Sequence, residues 1–450
     1  MVEFEKRRIP TVSWTAQHFI HDARRSGENF GLPSFPIAVM PTPFTNQTQE
    51  RIHQMVDASI DQVIAGLTQP VEAAPAAPRP KPTEVLTFQD GDLLAAAQRM
   101  NDHFLEQAWS DGFPLVPPTA QAVERMLQGT KRKRDEVVVV LEPGFGIATV
   151  EKIAINAVMA GCRPDHLPVV IAAVQCLADP KMYLRNKAMS TGPHAPLILV
   201  NGPIASRLNI NSGCCALGPG SVSYANSVIG RALRLVMMNV GHTYPAVSDM
   251  DTIGSPTKYS MCFAENVEGS PWEPYHVEHG YDKDASTVTV WFVYGICELK
   301  DFTNSVPENL VEVFSTAATN VAQVGTGLWL MGRRADPRYG LDEKEHNTVI
   351  ICPEHATLFH EAGWDKERIR QELYRRARMP FRLLMLSKEK KGLLIAHPEL
   401  QWLWDCPETP LPIVETPDCF DIVVAGTTGG AGRGAYFYGA GEPVTKPVEE

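Results

Sequence analysis

Between Gln69 and Thr83 five prolines (Pro70, Pro75, Pro78, Pro80 and Pro82) stand among alanines with no apolar periodicity. Proline lacks the amide donor and fixes its own φ, so such a stretch favours an extended, semi-rigid spacer over a helix or a central strand. The chain is therefore expected to divide into a small piece at 1–68, a linker at 69–85 and a large domain at 86–450. Its 450 residues exceed one ordinary core. Apolar and charged fractions of 44% and 21% predict folded pieces on either side of the linker.

The fold class expected is α/β for both pieces, the larger with a mixed sheet. In the small piece, strands at 9–14 and 35–40 alternate with helices at 16–27 and 47–67, the last carrying Ile52, Met55, Val56, Ile60, Val63 and Ile64 at helical spacing. In the large piece, helices are expected at 94–109, 166–178, 222–240, 307–323 and 365–377, and strands at 197–200, 287–294, 348–351 and 421–425. Thr119 and Thr149 can cap the helices that follow them through their hydroxyls. Val137 to Leu141 is wholly apolar and β-branched up to its leucine, which predicts a buried parallel strand. No internal repeat is visible.

The formal net charge of −11 argues against a polyanionic partner, because phosphate binding needs concentrated Lys and Arg. The one basic run, Lys131 to Arg134, reads as a solvated loop. No stretch reaches the roughly 18 apolar residues of a membrane helix, and no export signal opens the sequence. Nine irregularly spaced cysteines read as reduced thiols of a cytoplasmic protein. No nucleic acid, membrane or cofactor is expected.

Residues able to carry chemistry concentrate between Asn201 and Tyr281. Asn201-Gly-Pro follows an apolar strand, and the small-residue loop 209–220 runs into a helix near Ser221. Glycines at a helix start leave backbone amides and the positive dipole end free for an anion, so Gly218, Gly220 and Ser221 form a candidate seat; a structural turn is the alternative. The spacing is neither a phosphate-binding P-loop nor a dinucleotide fingerprint. Cys214 and Cys215 lie in this loop, where a helix N-terminus would stabilise a thiolate; adjacent side chains usually diverge, so one of them is expected to face the pocket. Arg231 and Arg234 share a face of the next helix and could grip a carboxylate or phosphate, or be ion-paired.

His194, at a turn before a strand, and Glu265 are candidates for moving a proton, and Trp272 for lining the substrate. Cys262, His276 and His279 have metal-ligand chemistry but match no zinc spacing, so no metal site is expected from them beyond a weak candidate. The glycine run 426–434 could form a second anion cradle with Arg433, or a C-terminal turn.

Several of these segments resemble a known family. Glu5-Lys-Arg-Arg-Ile-Pro-Thr-Val12, Val39-Met-Pro-Thr-Pro43 and the helix to Leu67 look like the C-terminal half of the short UGSC-motif (seleno)protein, in which U is selenocysteine or its cysteine replacement. Asp111 to Thr119, Ala148 to Pro164, Asn201-Gly-Pro203, Ile229 to Arg234 and Ser270 to Pro274 look like the larger protein associated with it. The resemblance implies a possible redox partner of the UGSC type and carries no settled reaction. No Cys-Gly-Ser-Cys motif occurs here, so the redox half is expected on a separate polypeptide or ahead of a shortened start.

The function expected is that of an enzyme, or a large enzyme subunit, using thiol-dependent redox or lyase chemistry on a small anionic substrate. Cys214 or Cys215, His194 and Glu265 would be catalytic, and Asn201, Gly218, Gly220, Ser221, Arg231, Arg234, Trp272 and Arg433 would bind the substrate. The alternatives are a non-catalytic partner of a separate UGSC-type redox protein and, more weakly, a metal-dependent hydrolase or hydratase. An oligomer is expected, because a small piece with an open sheet edge invites a partner.

Overall fold

The computed structural model describes the chain except residues 1–3, 6, 30–31, 33, 43–46, 71–84, 322–327, 333, 337–340, 343, 385, 387, 389–394, 429–431 and 440. Most of the proline-rich linker therefore lies outside the described residues, as does the centre of the 426–434 glycine run.

In the small piece, β1 (Ser13–Ala16) is followed by α1 (Ile20–Asn29), β2 (Ile37–Met40) and α2 (Gln49–Thr68). β1 and β2 pair in parallel, as a strand-helix-strand order requires. The Thr48 hydroxyl caps α2 by accepting from the Arg51 amide at 3.2 Å, and the Trp14 indole donates to Ser59 Oγ at 3.0 Å, tying strand to helix.

The larger part opens with α3 (Leu93–Glu106), α4 (Ala120–Leu127), β3 (Val137–Leu141), β4 (Gly146–Thr149), α5 (Val150–Ala160) and α6 (Leu167–Leu177). Thr119 and Thr149 cap α4 and α5 as expected, accepting from the amides of Ala122 and Lys152. The Val137–Leu141 run is a correction. It is one arm of a two-stranded antiparallel hairpin with β4, not a buried parallel strand. Val137 and Val140 remain about half exposed, at 55% and 49%, since a two-stranded hairpin buries a single face.

The main sheet is built from β5 (Ala195–Asn201), β6 (Cys262–Ala264), β7 (Thr287–Lys300), β8 (Asn347–Ile351), β9 (Phe420–Val424), β10 (Arg433–Gly439) and β11 (Val444–Pro447). Helices α7 (Tyr224–Asn239), α8 (Pro307–Val321), α9 (Pro353–Glu361) and α10 (Lys366–Arg376) join them. Strand order is β9-β8-β10-β7-β5-β6, with β11 continuing alongside β7. The two outer pairs, β5–β6 and β8–β9, are parallel; every contact between them is antiparallel.

Read from either edge, this sheet is the same. A parallel pair is followed by a strand that returns antiparallel beside the pair's first member, and the two returning strands, β7 and β10, meet at the centre. The first strand of each pair ends opposite the start of its returning strand, Asn201 against Thr287 and Ile351 against Gly434. Gly202-Pro203 and Cys352-Pro353 therefore occupy corresponding positions, each opening a helix with proline in its first turn. The large part thus contains a structural duplication about an axis normal to the sheet, although no repeat is legible in the sequence.

Alternation along the strands divides the core. Ile198, Val200, Val288 and Val290 pack with Leu167, Ile171 and Leu233 from α6 and α7. Val349, Ile351, Ile422 and Val424 pack with Phe314, Phe359 and Leu373 from α8 to α10. The alternate residues Leu197, Leu199, Trp291, Ile350, Val423 and Phe437 form a third cluster, roofed by Ala216 and Tyr275.

Candidate functional site

The third cluster rises to a cleft of about 310 Å³ at the C-terminal end of the β8–β9 pair. Its apolar floor includes Phe263, Ile350 and Ala435, and three thiols line it: Cys214, Cys215 and Cys352.

Cys352 caps α9, with φ −69° and ψ 157°, and Pro353 follows at the first helical position. An N-cap thiol faces the positive end of the helix dipole. One turn on, His355 is 5% exposed, and its Nε2 sits 2.6 Å from the Asp301 carbonyl oxygen, which fixes that nitrogen as the donor. Nδ1 is buried and makes no hydrogen bond, and Cys352 stands three residues earlier at the cap of the same helix. Burial alone would push this thiol up; the neighbouring His355 imidazole more than reverses that and holds it below the ordinary thiol range. Burial alone would pull His355 down; the Cys352 sulfur and then Asp301 pull it above the ordinary histidine value. Both shifts favour a thiolate–imidazolium pair.

Gly432 makes this arrangement possible. A Cβ there would lie 1.8 Å from the Asp301 carbonyl oxygen and 2.9 Å from His355 Nε2, and its φ of +41° is one that side chains rarely adopt. Its amide donates to Glu354 Oε2 at 3.1 Å, and the Arg433 carbonyl accepts from the Cys352 amide at 3.2 Å.

Opposite stands the 209–220 loop. Side chains hold three successive carbonyls: Asn211 donates to that of Cys214, Ser223 to that of Cys215 and Asn226 to that of Ala216, at 2.7, 2.7 and 2.9 Å. The expectation that the adjacent cysteines diverge is corrected. Cys215 has a left-handed φ of +58°, which turns the two side chains to one side, and their sulfurs lie 3.8 Å apart. Both are exposed and both line the cleft. The Cys214 thiol, first as hydrogen-bond partner and then by its charge, pushes Cys215 up, away from the thiolate expected of it.

Most other expected site residues lie elsewhere. Arg231 makes a bidentate pair with Asp111 at 2.7 and 2.9 Å and also donates to the carbonyls of Phe113 and Pro114. Arg234 pairs with buried Asp249 at 3.1 Å. Neither faces the cleft, and both guanidinium groups are committed to holding loops. Arg433 stands at the rim in an exposed pair with Glu298 at 3.4 Å. Trp272 packs with the β8–β9 core and donates to the Trp364 carbonyl. Gly218 fits under Cys215, and Gly220 precedes a short 3-10 turn from Ser221 that leads into α7, so the helix start was placed correctly.

Asn201 and Glu265 do come together, at the end of the other parallel pair. Asn201 Nδ2 donates to Glu265 Oε2 at 2.5 Å, and the Tyr275 amide donates to the same oxygen at 2.7 Å. Burial pushes this carboxyl up, while Lys366, 3.9 Å from Oε1, pulls it down less. Neither residue lines the cleft. His194 packs against Tyr294 with the rings tilted and their centroids 4.3 Å apart, and burial, with the Lys187 charge behind it, pulls it down to about 3.

Cys262 is buried in the core, His279 Nδ1 faces the Tyr275 carbonyl and His276 Nε2 that of Lys283. These three do not converge, and among the described residues no group of three or more His, Cys, Asp or Glu could hold a metal ion. Among them too, no single helix is long and apolar enough to cross a membrane.

Sequence reasoning missed Cys352 and His355. The signal was present in Val349-Ile-Ile-Cys-Pro-Glu-His355, an apolar strand ending in Cys-Pro with a histidine one helical turn further. No curated protein matches the chain, and no solved structure does. One family does: residues 1–69 match the model of the UGSC family, so the small parallel α/β piece ahead of the linker is a UGSC-related segment.

Proposed function

We propose that the chain is a thiol-dependent enzyme acting on a small molecule in the cleft, with Cys352 as nucleophile and His355 as the group that takes and returns its proton. The observation carrying this reading is geometric: Cys352 caps a helix at the wall of a cleft lined by two further thiols, and one turn along that helix His355 keeps a buried ring nitrogen that makes no hydrogen bond. Redox and lyase chemistry at a cysteine both start from a thiolate with a neighbouring base. The apolar lining from Leu217, Phe263 and Ile350 favours a compact uncharged substrate over the anion expected from the arginines. All nine cysteines are free, which suits a reducing cytoplasm.

Alkylation by iodoacetamide, followed at single cysteines by mass spectrometry across pH, tests the reading. Cys352 should show a midpoint below the ordinary thiol value of about 8.5. A midpoint at or above that value removes the nucleophile, and the comparison does not depend on how deeply the sulfur is buried.

A second reading is favoured by one observation: the UGSC-matching residues 1–69 contain no cysteine. In it, this chain presents substrate to a separate UGSC-type redox protein. Co-purification with such a protein, and activity of the pair that survives loss of Cys352, Cys214 and Cys215, would select it.

A further inference from the structure

Thiolate chemistry at Cys352 leaves two thiols unexplained. Cys214 and Cys215 are exposed, point the same way and stand on a loop whose carbonyls are pinned from behind by Asn211, Ser223 and Asn226. A loop needing only to pass over the sheet requires neither the left-handed Cys215 nor two sulfurs at a cleft mouth. Short links connect it to the other wall. The Gly426 amide donates to the Ser212 carbonyl at 2.8 Å, and a Cβ placed on Gly426 would lie 3.9 Å from Cys352 Cβ. Cys214 is two residues beyond Ser212, and all three sulfur-bearing residues line the same cleft.

From this geometry we infer that the cleft is a thiol–disulfide exchange site for a small organic disulfide, with Cys352 as the attacking sulfur and Cys214 as the resolving one. The inference rests on the reading of Cys352 as nucleophile and adds the substrate class and the second sulfur. In the first step the Cys352 thiolate forms a bond to one sulfur of the substrate RS–SR′, the S–S bond breaks, and R′S⁻ leaves with the proton carried by His355. In the second step Cys214, having lost its proton to water at the exposed loop, attacks the Cys352 sulfur and RS⁻ departs. The substrate gains two electrons and becomes two thiols; Cys214 and Cys352 lose two and become joined. Cys215 retains its proton beside Cys214 and, as the neighbouring donor, stabilises the attacking thiolate.

The test uses the full chain, fully reduced, with 2,2′-dithiodipyridine as the disulfide in slight excess and thiopyridone release followed by absorbance. The wild-type protein should release two equivalents in a fast phase, and non-reducing peptide mapping should find a Cys214–Cys352 bond. Exposed Cys406 supplies the slow background. Cys214→Ser should release one fast equivalent and hold a stable mixed disulfide at Cys352, and Cys215→Ala, which removes the neighbouring donor but not the resolving sulfur, should release two with the second slower than in the wild type. Cys352→Ser should lose the fast phase, with its circular dichroism melt reporting that it is folded and Cys352→Ala serving in its place if it is not.

Two fast equivalents from Cys214→Ser, or a Cys214–Cys215 bond in the wild type, would overturn the relay while leaving Cys352 as nucleophile. An unchanged fast phase in folded Cys352→Ser or Cys352→Ala would overturn both.

Discussion

The two ends of the duplicated sheet carry opposite chemistry on one frame. At the end of β5–β6 the position after the strand is Gly202, and the polar side chains beside it, Asn201 and Glu265, are sealed in: Glu265 is 6% exposed and lies against Lys366. At the end of β8–β9 the corresponding position is Cys352, and the space above it is open as the cleft. Backbone conformation separates them. Gly202 has φ +83° and ψ −172°, whereas Cys352 has φ −69° and ψ 157°. A Cβ at Gly202 would sit 2.1 Å from the Ala285 carbonyl oxygen, so the first half has no room for a side chain there. The same topology therefore yields a sealed joint on one side and an open, thiol-lined cleft on the other, and the choice lies in one residue and the loop that covers it.

The largest effect should come from the sealed end. Lys366 donates to Glu278 Oε2 and the Glu273 carbonyl, both at 3.0 Å, and is 3.9 Å from Glu265. Lys366→Met leaves buried carboxylates without that cation and should cost about 3 kcal/mol in urea unfolding. Cys352 alkylation in the folded variant should be unchanged; loss of thiol reactivity would mean that the two ends are coupled and the comparison is wrong.

Gly202→Ala should follow, costing about 1–3 kcal/mol from the left-handed φ, with the Ala285 clash added. Cys352→Ala, at the corresponding position, should cost about 1 kcal/mol and remove the reactive thiol. Equal costs at the two positions would break the claim that only one end was free to acquire a side chain. Smaller still in stability, His355→Asn should move the midpoint of Cys352 alkylation upward in pH. A midpoint that stays put would leave the helix N-terminus, rather than the imidazole, as the source of the shift.

Much of this frame was legible. The threonine caps, the helix of Val150, Ile153, Ala154 and Ala157, and the four buried strands follow from local pattern, and each is decided by residues within a turn or two. The duplication was not, because the halves share strand directions rather than residues: Asn-Gly-Pro stands where Ile-Cys-Pro stands. The Val137 run misled because an apolar string reports burial only if another layer covers it. Of the two readings of the arginines the ion-paired one holds, but its partner was not legible: Arg231 finds Asp111, 120 residues earlier, and no local spacing encodes that pair. The cysteine loop was found and its orientation missed, since the left-handed cysteine sits in a clamp made by Asn211 of the loop, Ser223 of the following turn and Asn226 of the next helix. Cys352 hid at a strand end, where one residue decides whether the next helix begins over glycine or over sulfur.

The halves should also part under acid. In the first half His194, just ahead of β5, is held neutral in the fold with its value pulled down to about 3. The unfolded chain binds a proton there near pH 6.5, so between those values the unfolded state holds more protons and stability falls as pH falls. In the second half burial would raise Asp421, but His346, the Trp291 indole and the Tyr275 hydroxyl together hold it below the ordinary carboxylate range. Its contribution is intact above about pH 4 and is lost only as pH drops through the lowered value. Melting temperatures from pH 7 to 4 should therefore decline in the wild type and in Asp421→Asn, and decline less steeply in His194→Asn. A slope that His194→Asn leaves unchanged, while Asp421→Asn flattens it, would assign the acid-sensitive joint to the half that carries the thiol.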